Sequence, residues 1–173
     1  MIILGTAAFL LMLLGDINDA VLGRRLLRLC FPIGLIMLAA ATGARITLKG
    51  ANLTWSILAA AFLLLLLYAL FGSFPVKEAY ATQDTGRQVC DSGFYAMCRH
   101  PGVLFFAGLY ISLHFAVALP LADALIYTGL DLLLAFAEDV WIFPKTIGGY
   151  GEYKKRVPFI MPRADGIKKI FKR

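Results

Sequence analysis

The residues of this chain that could do chemistry lie mostly in its second half. Arg99 and His100 stand side by side before Pro101, in the stretch Gly93-Phe94-Tyr95-Ala96-Met97-Cys98-Arg99-His100-Pro101-Gly102. A proline pushes the residue before it out of helical geometry. Arg99 and His100 are therefore expected on a bent connector at the mouth of the next helix, where a cation and an imidazole suit an anionic or polar ligand. Two plainer readings stand beside this one. An arginine at a helix end can snorkel to lipid headgroups, and His-Pro can be an ordinary helix start.

Asp131, Glu138 and Asp139 follow inside an apolar run. An acid at mid-bilayer costs at least ~2.5 kcal/mol, so such residues are functional candidates. Asp131 and Glu138 are seven apart and share a helical face, with Tyr127 four residues before Asp131. Tyr110 and His114, four apart on the preceding run, could line the same polar cavity. Structural roles compete: His114 as a satisfied core histidine, Asp131 as a partner of His114 or Tyr110. Asp139, near the helix end, reads as a solvated flank and Glu138 as the functional member of the pair. Trp141 and Phe143 read as interfacial anchors. Tyr150, Tyr153, Lys154, Lys155 and Arg156 then return aromatic and basic side chains to the surface, and Ile167-Lys168-Lys169-Ile170-Phe171-Lys172-Arg173 reads as a polybasic lipid anchor.

The elements that must position these groups are membrane helices. Of 173 residues, 60% are hydrophobic and 16% charged. Soluble domains average about 45–50% and about 25%. One compact membrane domain, 1–173, is expected. The net charge of +6 is concentrated toward the C-terminus and lacks the basic, aromatic-interleaved groove of a nucleic-acid binder. Apolar runs at 1–14, 26–42, 53–71, 102–119 and 124–143 make about five transmembrane helices, an all-α polytopic bundle. Gly15-Asp16-Ile17-Asn18-Asp19 is expected to end the first run, which is short for a span. The runs divide the chain into three N-terminal spans (1–72), a connector (73–101), a helical hairpin turning at Pro120 (102–143) and a basic tail (144–173). Arg24, Arg25, Arg28, Lys77, Arg87, Arg99 and the tail fall on one side, Arg45 and Lys49 on the other. The positive-inside rule then puts the N-terminus outside and the connector and C-terminus in the cytoplasm.

Cys30, Cys90 and Cys98 lack metal-ligand spacing, and no metal is expected. On this topology they face the reducing side. Met1-Ile2-Ile3 carries no charged leader, so the first segment is expected to remain in the mature protein. Gly148-Gly149-Tyr150-Gly151 follows a membrane helix and opens no βαβ unit, so it is not a dinucleotide fingerprint.

Taken together, Gly93-x-Tyr95-x-x-x-Arg99-His100-Pro101, a hairpin, Glu138-Asp139 and Tyr150-x-x-Tyr153-x-x-x-Val157-Pro158 resemble the isoprenylcysteine carboxyl methyltransferase and phospholipid methyltransferase superfamily. The resemblance covers 93–162. It implies a membrane methyltransferase using S-adenosylmethionine, with a lipid or lipidated acceptor entering from the bilayer. Carried over residue by residue, Tyr95, Arg99, His100, Glu138, Tyr150 and Tyr153 would bind the cofactor, with Glu138 and Arg99 also in catalytic roles. The chain departs from the family in four places, one of them Val103, where the family often shows a Tyr. Asp139 replaces a second Glu. Leu132-Leu133-Leu134 occupies the region of a family Arg. Thr146-Ile147 stands in place of Phe-Gly, with Pro144 expected to break the helix nearby. Two other readings stay open: an NADPH-dependent membrane reductase, whose family resembles this hairpin and Val-Pro ending, and a non-catalytic membrane homologue.

Overall fold

The computed structural model describes residues 1–48, 50–72, 87–163 and 166. Lys49, the connector at 73–86 and the polybasic end at 167–173 lie outside the described residues, and with them part of the charge count behind the expected orientation. The rest is mostly helical. Five long helices dominate: α1 (Ile2–Ile17), α2 (Cys30–Gly43), α3 (Leu53–Leu67), α4 (Pro101–Val117) and α5 (Leu121–Ala137). Two short ones follow, α6 (Phe143–Thr146) and α7 (Tyr150–Arg156). With their terminal turns, the first three form the helical stretches Ile2–Leu22, Leu26–Gly43 and Leu53–Phe71, each long and apolar enough to cross a membrane.

The first helix does not stop at Gly15-Asp16. It runs through Ile17 and continues as a π-helical turn, Asn18–Leu22. Asp16 and Asn18 are thereby part of the helix and not of a loop. The stop comes at Gly23, whose φ of 63° is open to glycine without a Cβ penalty. Asn18 closes the turn, its amide donating to the Arg24 carbonyl and accepting from the Arg24 N–H. Similar π turns end α3 (Tyr68–Gly72) and α5 (Glu138–Ile142). Pro144 likewise fails to break the chain. Phe143 keeps helical angles and α6 carries the proline in its first turn, where no intrahelical N–H is needed. The looser π turn directly before it absorbs the misfit.

The helices pack as an arc. α1 lies on α2 and on α5, α5 lies on α4, and α4 on α3. α4 and α5 form the expected hairpin, joined by Ala118, Leu119 and Pro120. His114 caps that hairpin: its Nδ1 lies 2.8 Å from the Leu119 carbonyl. The centre of the arc is aromatic. Phe106 stacks on Tyr110, and Tyr127 meets both Tyr110 and Phe9. The Tyr110 hydroxyl sits 2.6 Å from Thr42 Oγ1. At the far end Arg45 Nε donates to the fully buried Asp123 at 2.8 Å, tying the end of α2 to the start of α5. The all-α expectation has one small exception: β1 (Arg87–Gln88) pairs in parallel with β2 (Ile147–Gly148).

Small residues let α1 and α2 approach. A Cβ on Gly34 would lie 2.6 Å from the Ala8 carbonyl oxygen, a backbone atom that cannot move aside. Gly34→Ala is expected to cost about 1–3 kcal/mol through overpacking. Gly43→Ala, where a Cβ meets nothing within 4 Å, should leave stability unchanged. Thermal unfolding of the two variants in one detergent checks the contrast.

Candidate functional site

The connector enters the site through Gly93, whose φ is 56°, and a single 3-10 turn, Gly93–Ala96. His100 then adopts φ −124° and ψ 64° as the N-cap of α4, with Pro101 in the first turn. This is the bent connector that the Arg-His-Pro order predicts. Its backbone is not left to water. The N–H groups of Arg99 and His100 donate to the carbonyls of Pro158 and Phe159 at 2.9 and 3.1 Å, and Arg163 N–H donates to the Met97 carbonyl. The tail after α7 is thus fastened along the connector.

Asp139 is the centre of the polar network. Its Oδ1 accepts from Arg99 Nε at 2.6 Å and from the Tyr150 hydroxyl at 2.7 Å. Its Oδ2 accepts from Arg99 Nη2 at 3.1 Å and pairs with Lys154 Nζ at 2.6 Å. Arg99 Nη1 donates onward to the carbonyls of Lys154 and Val157. Asp139 is 3% exposed and Arg99 9%. The solvated flank expected of Asp139 is therefore wrong. The residue is buried beneath α7, whose tyrosine and lysine reach it from one side. Four of the five Arg99 N–H groups are spent on protein acceptors, so Arg99 acts first as a clamp.

Glu138, one residue earlier, faces elsewhere. It lines a cavity of about 430 Å³ together with Tyr95, Arg99, His100, Tyr150 and Tyr153. The structure thus brings all six expected site residues to one cavity wall. The hydroxyl of Tyr95 donates to the Ala69 carbonyl, that of Tyr153 to the Tyr95 carbonyl and that of Tyr150 to Asp139. These tyrosines hold the tail, the connector and the end of α3 together. Burial raises the pKa of all three above the ordinary phenol value, so they stay protonated. Burial likewise raises the Cys98 thiol to about 11, which leaves it an unreactive thiol.

His100 is 7% exposed. Its ring lies parallel to Phe143 at 5.7 Å and edge-on to Phe159. Phe143 is therefore part of the site wall and not an interfacial anchor, whereas Trp141 is exposed and carries Lys145 over its ring. His100 Nδ1 stands 3.7 Å from Glu138 Oε2, and Nε2 stands 3.8 Å from Asp139 Oδ1. Both distances exceed a hydrogen bond, and Nε2 has no hydrogen-bond partner. Burial lowers the His100 pKa, opposed by Asp139 and reinforced by the Arg99 and Lys154 charges. The imidazole is neutral at pH 7 and keeps one donor and one acceptor for a ligand.

One acidic cavity residue, Asp16, was not among those expected, whereas Asp131 lies in the polar cavity that the hairpin was expected to line. Asp16 reaches the wall from α1, on the face it shares with Phe9 and Met12. Its carboxyl lies beside that of Glu138. Asp131 lines the cavity deeper along α5. Neither Tyr110 nor His114 is its partner, since those are engaged with Thr42 and Leu119. The signal for Asp16 was present in the 9, 12, 16 spacing.

Compared with protein-family models, with curated proteins and with solved structures, the chain matches none.

Two outcomes follow. Asp139→Asn leaves Arg99 and Lys154 facing a neutral amide. Breaking a buried pair costs about 3–5 kcal/mol, and a large fall in melting temperature is expected, well beyond that of Glu138→Gln. For His100 the folded pKa lies below the unfolded one, so its contribution is complete above the unfolded value of about 6.5 and declines as pH falls through the folded value. The melting temperature of wild type relative to His100→Gln should therefore drop between pH 7.5 and pH 5. A constant difference would mean that His100 does not titrate on unfolding.

Proposed function

We propose that the protein is a membrane-embedded methyltransferase that uses S-adenosylmethionine and methylates a lipid or lipidated acceptor. Five helices cross the bilayer, with the N-terminus outside and the Arg-His-Pro connector and tail in the cytoplasm. The observation that carries the reading is the convergence of Tyr95, His100, Glu138, Tyr150 and Tyr153 on one cavity. They come from three separate parts of the sequence, and the superfamily resemblance selects the same residues.

The wall fits the donor. Its volume of about 430 Å³ lies in the range of small-molecule sites, about 300–1,000 Å³. The open Nε2 of His100 can meet the donor's carboxylate or a ribose hydroxyl. Glu138 can accept from its ammonium or ribose. Phe143 and the buried tyrosines offer ring faces to the base. The bound donor would supply an electrophilic methyl group. The protein's own work is positioning and exclusion of water. The acceptor chain would lie against Phe31, Leu35, Leu66 and Leu70, apolar residues of the same cavity. They belong to the N-terminal part of α2 and the C-terminal part of α3, on the two ends of the arc.

A second reading, a binding protein without turnover, is favoured by Leu134, an apolar residue in the cavity wall within the region where the superfamily carries an arginine. A thermal-shift titration of the detergent-purified protein with S-adenosylmethionine, S-adenosylhomocysteine and NADPH separates the readings. A ligand that binds only the folded state stabilises by about 2.7 kcal/mol at a hundredfold excess over Kd. Stabilisation by the two adenosyl ligands is expected, and its loss in both His100→Ala and Glu138→Gln. A shift with NADPH alone would replace the proposal by a reductase. No shift with any of the three would remove the cofactor from the site.

A further inference from the structure

Outside the cavity, cations gather at the end of the bundle where α1 turns into α2. α6 packs against the π turn Asn18–Leu22, and the 3-10 turn Leu26–Leu29 packs against the same π turn. Arg24, Arg25 and Arg28 from the loop and Lys145 from α6 are therefore carried by adjoining elements, although Lys145 lies far from the arginines in sequence. All four are exposed. None of the three arginine side chains has a hydrogen bond or ion pair within the described residues. Lys145 rests over the Trp141 ring, 4.4 Å from its centroid. Asp19, the acid on the π turn, has an interaction of its own. The loop is not slack. Asn18 is fully buried and holds the Arg24 backbone through two hydrogen bonds, of 3.1 and 2.8 Å.

Apolar side chains stand among these cations. Leu26 is 85% exposed, and Leu22, Leu29 and Trp141 are exposed beside it. The stretches Ile2–Leu22 and Leu26–Gly43 on either side of the loop are each long and apolar enough to cross a membrane, so the loop lies where they emerge. An indole at such a place marks the headgroup level. Guanidinium groups grip phosphate through paired N–H bonds. Arginines with leucines between them suit a molecule that joins a phosphate to hydrocarbon. A free phosphate would leave the leucines uncovered, and a zwitterionic headgroup would bring its own cation against the arginines. We propose that Arg24, Arg25, Arg28 and Lys145 form one binding surface for the headgroup of an anionic phospholipid, whose acyl chains cover Leu22, Leu26 and Leu29. This surface is separate from the cavity and does not depend on the methyltransferase reading.

The test uses the whole protein in dodecyl maltoside and three probes: dioleoylphosphatidylglycerol, dioleoylphosphatidylcholine and inorganic phosphate. Each is titrated by thermal shift. The phosphatidylglycerol is expected to raise Tm at concentrations where the other two do not. Arg25→Gln combined with Arg28→Gln should weaken that lipid about tenfold or more, and Lys145→Gln should weaken it in the same direction. The two arginines are unbonded within the described residues, so their variant should keep the wild-type Tm when no lipid is added. Lys168→Gln with Lys169→Gln and Lys172→Gln, in the polybasic end, is the comparison variant and should leave the lipid effect unchanged. Equal stabilisation by the phosphatidylcholine would overturn the charge preference. Equal stabilisation by inorganic phosphate would overturn the lipid. Undiminished binding in Lys145→Gln would overturn the joint surface. Loss of the effect in the polybasic-end variant, with the arginine variant unaffected, would move the lipid to that end and sink the proposal.

Discussion

The buried pair of Arg99 and Asp139 is the constraint on which the site depends. Asp139 is 40 residues from Arg99 in sequence, and the Lys154 and Val157 carbonyls on the same guanidinium are 55 and 58 away. One side chain therefore binds the connector to the end of the hairpin and to the tail. Burying two charges is expensive, and attraction alone does not repay it unless the remaining donors and acceptors are satisfied. Here they nearly are. Tyr150 and Lys154 complete the carboxylate, and two backbone carbonyls complete the guanidinium. The pair is thus better understood as fixing one arrangement of three segments than as a large net source of stability.

That arrangement produces the division between floor and wall of the cavity. The tyrosines of α7 and the connector spend their hydroxyls on the protein, which makes the polar end rigid. α1, α2 and α3 supply the apolar remainder through Phe9, Phe31, Leu38 and Leu66. A ligand entering this space meets fixed polar groups at one end and packed hydrocarbon elsewhere, so little has to be reorganised on binding.

Local chemistry made much of this legible in the sequence. Pro101 announced the bent connector and the start of α4. The apolar runs announced the helices, and Pro120 the hairpin. The shared face of Asp131 and Glu138 followed from helical spacing alone. Failures arose where a side chain's partner lies far away in sequence. Asp139 looked solvated because nothing local shows that α7 folds back over it. Asp16 looked like a helix terminator because polar residues usually end apolar runs. It is instead a cavity residue on a helix that extends through a π turn. Phe143 looked like an anchor because it adjoins Trp141, yet it stacks on His100. Propensity reads the backbone. It does not read which tertiary neighbour will cover a face.

Glu138 and Asp139 carry the same argument to a single step of the chain. Adjacent residues on a helix point roughly 100° apart, so two neighbouring carboxylates at this position must enter different surroundings. Asp139 turns to the tail and is neutralised by Arg99 and Lys154. Glu138 turns to the cavity, where it meets Asp16 and the edge of His100. One acid is consumed by the clamp and the other lines the cavity. The two roles are not interchangeable. Exchanging them would need a rotation of the helix that the clamp on Asp139 forbids. The buried pair therefore does more than close the site. By fixing the rotation of α5 it decides that Glu138, and seven residues earlier Asp131, face inward.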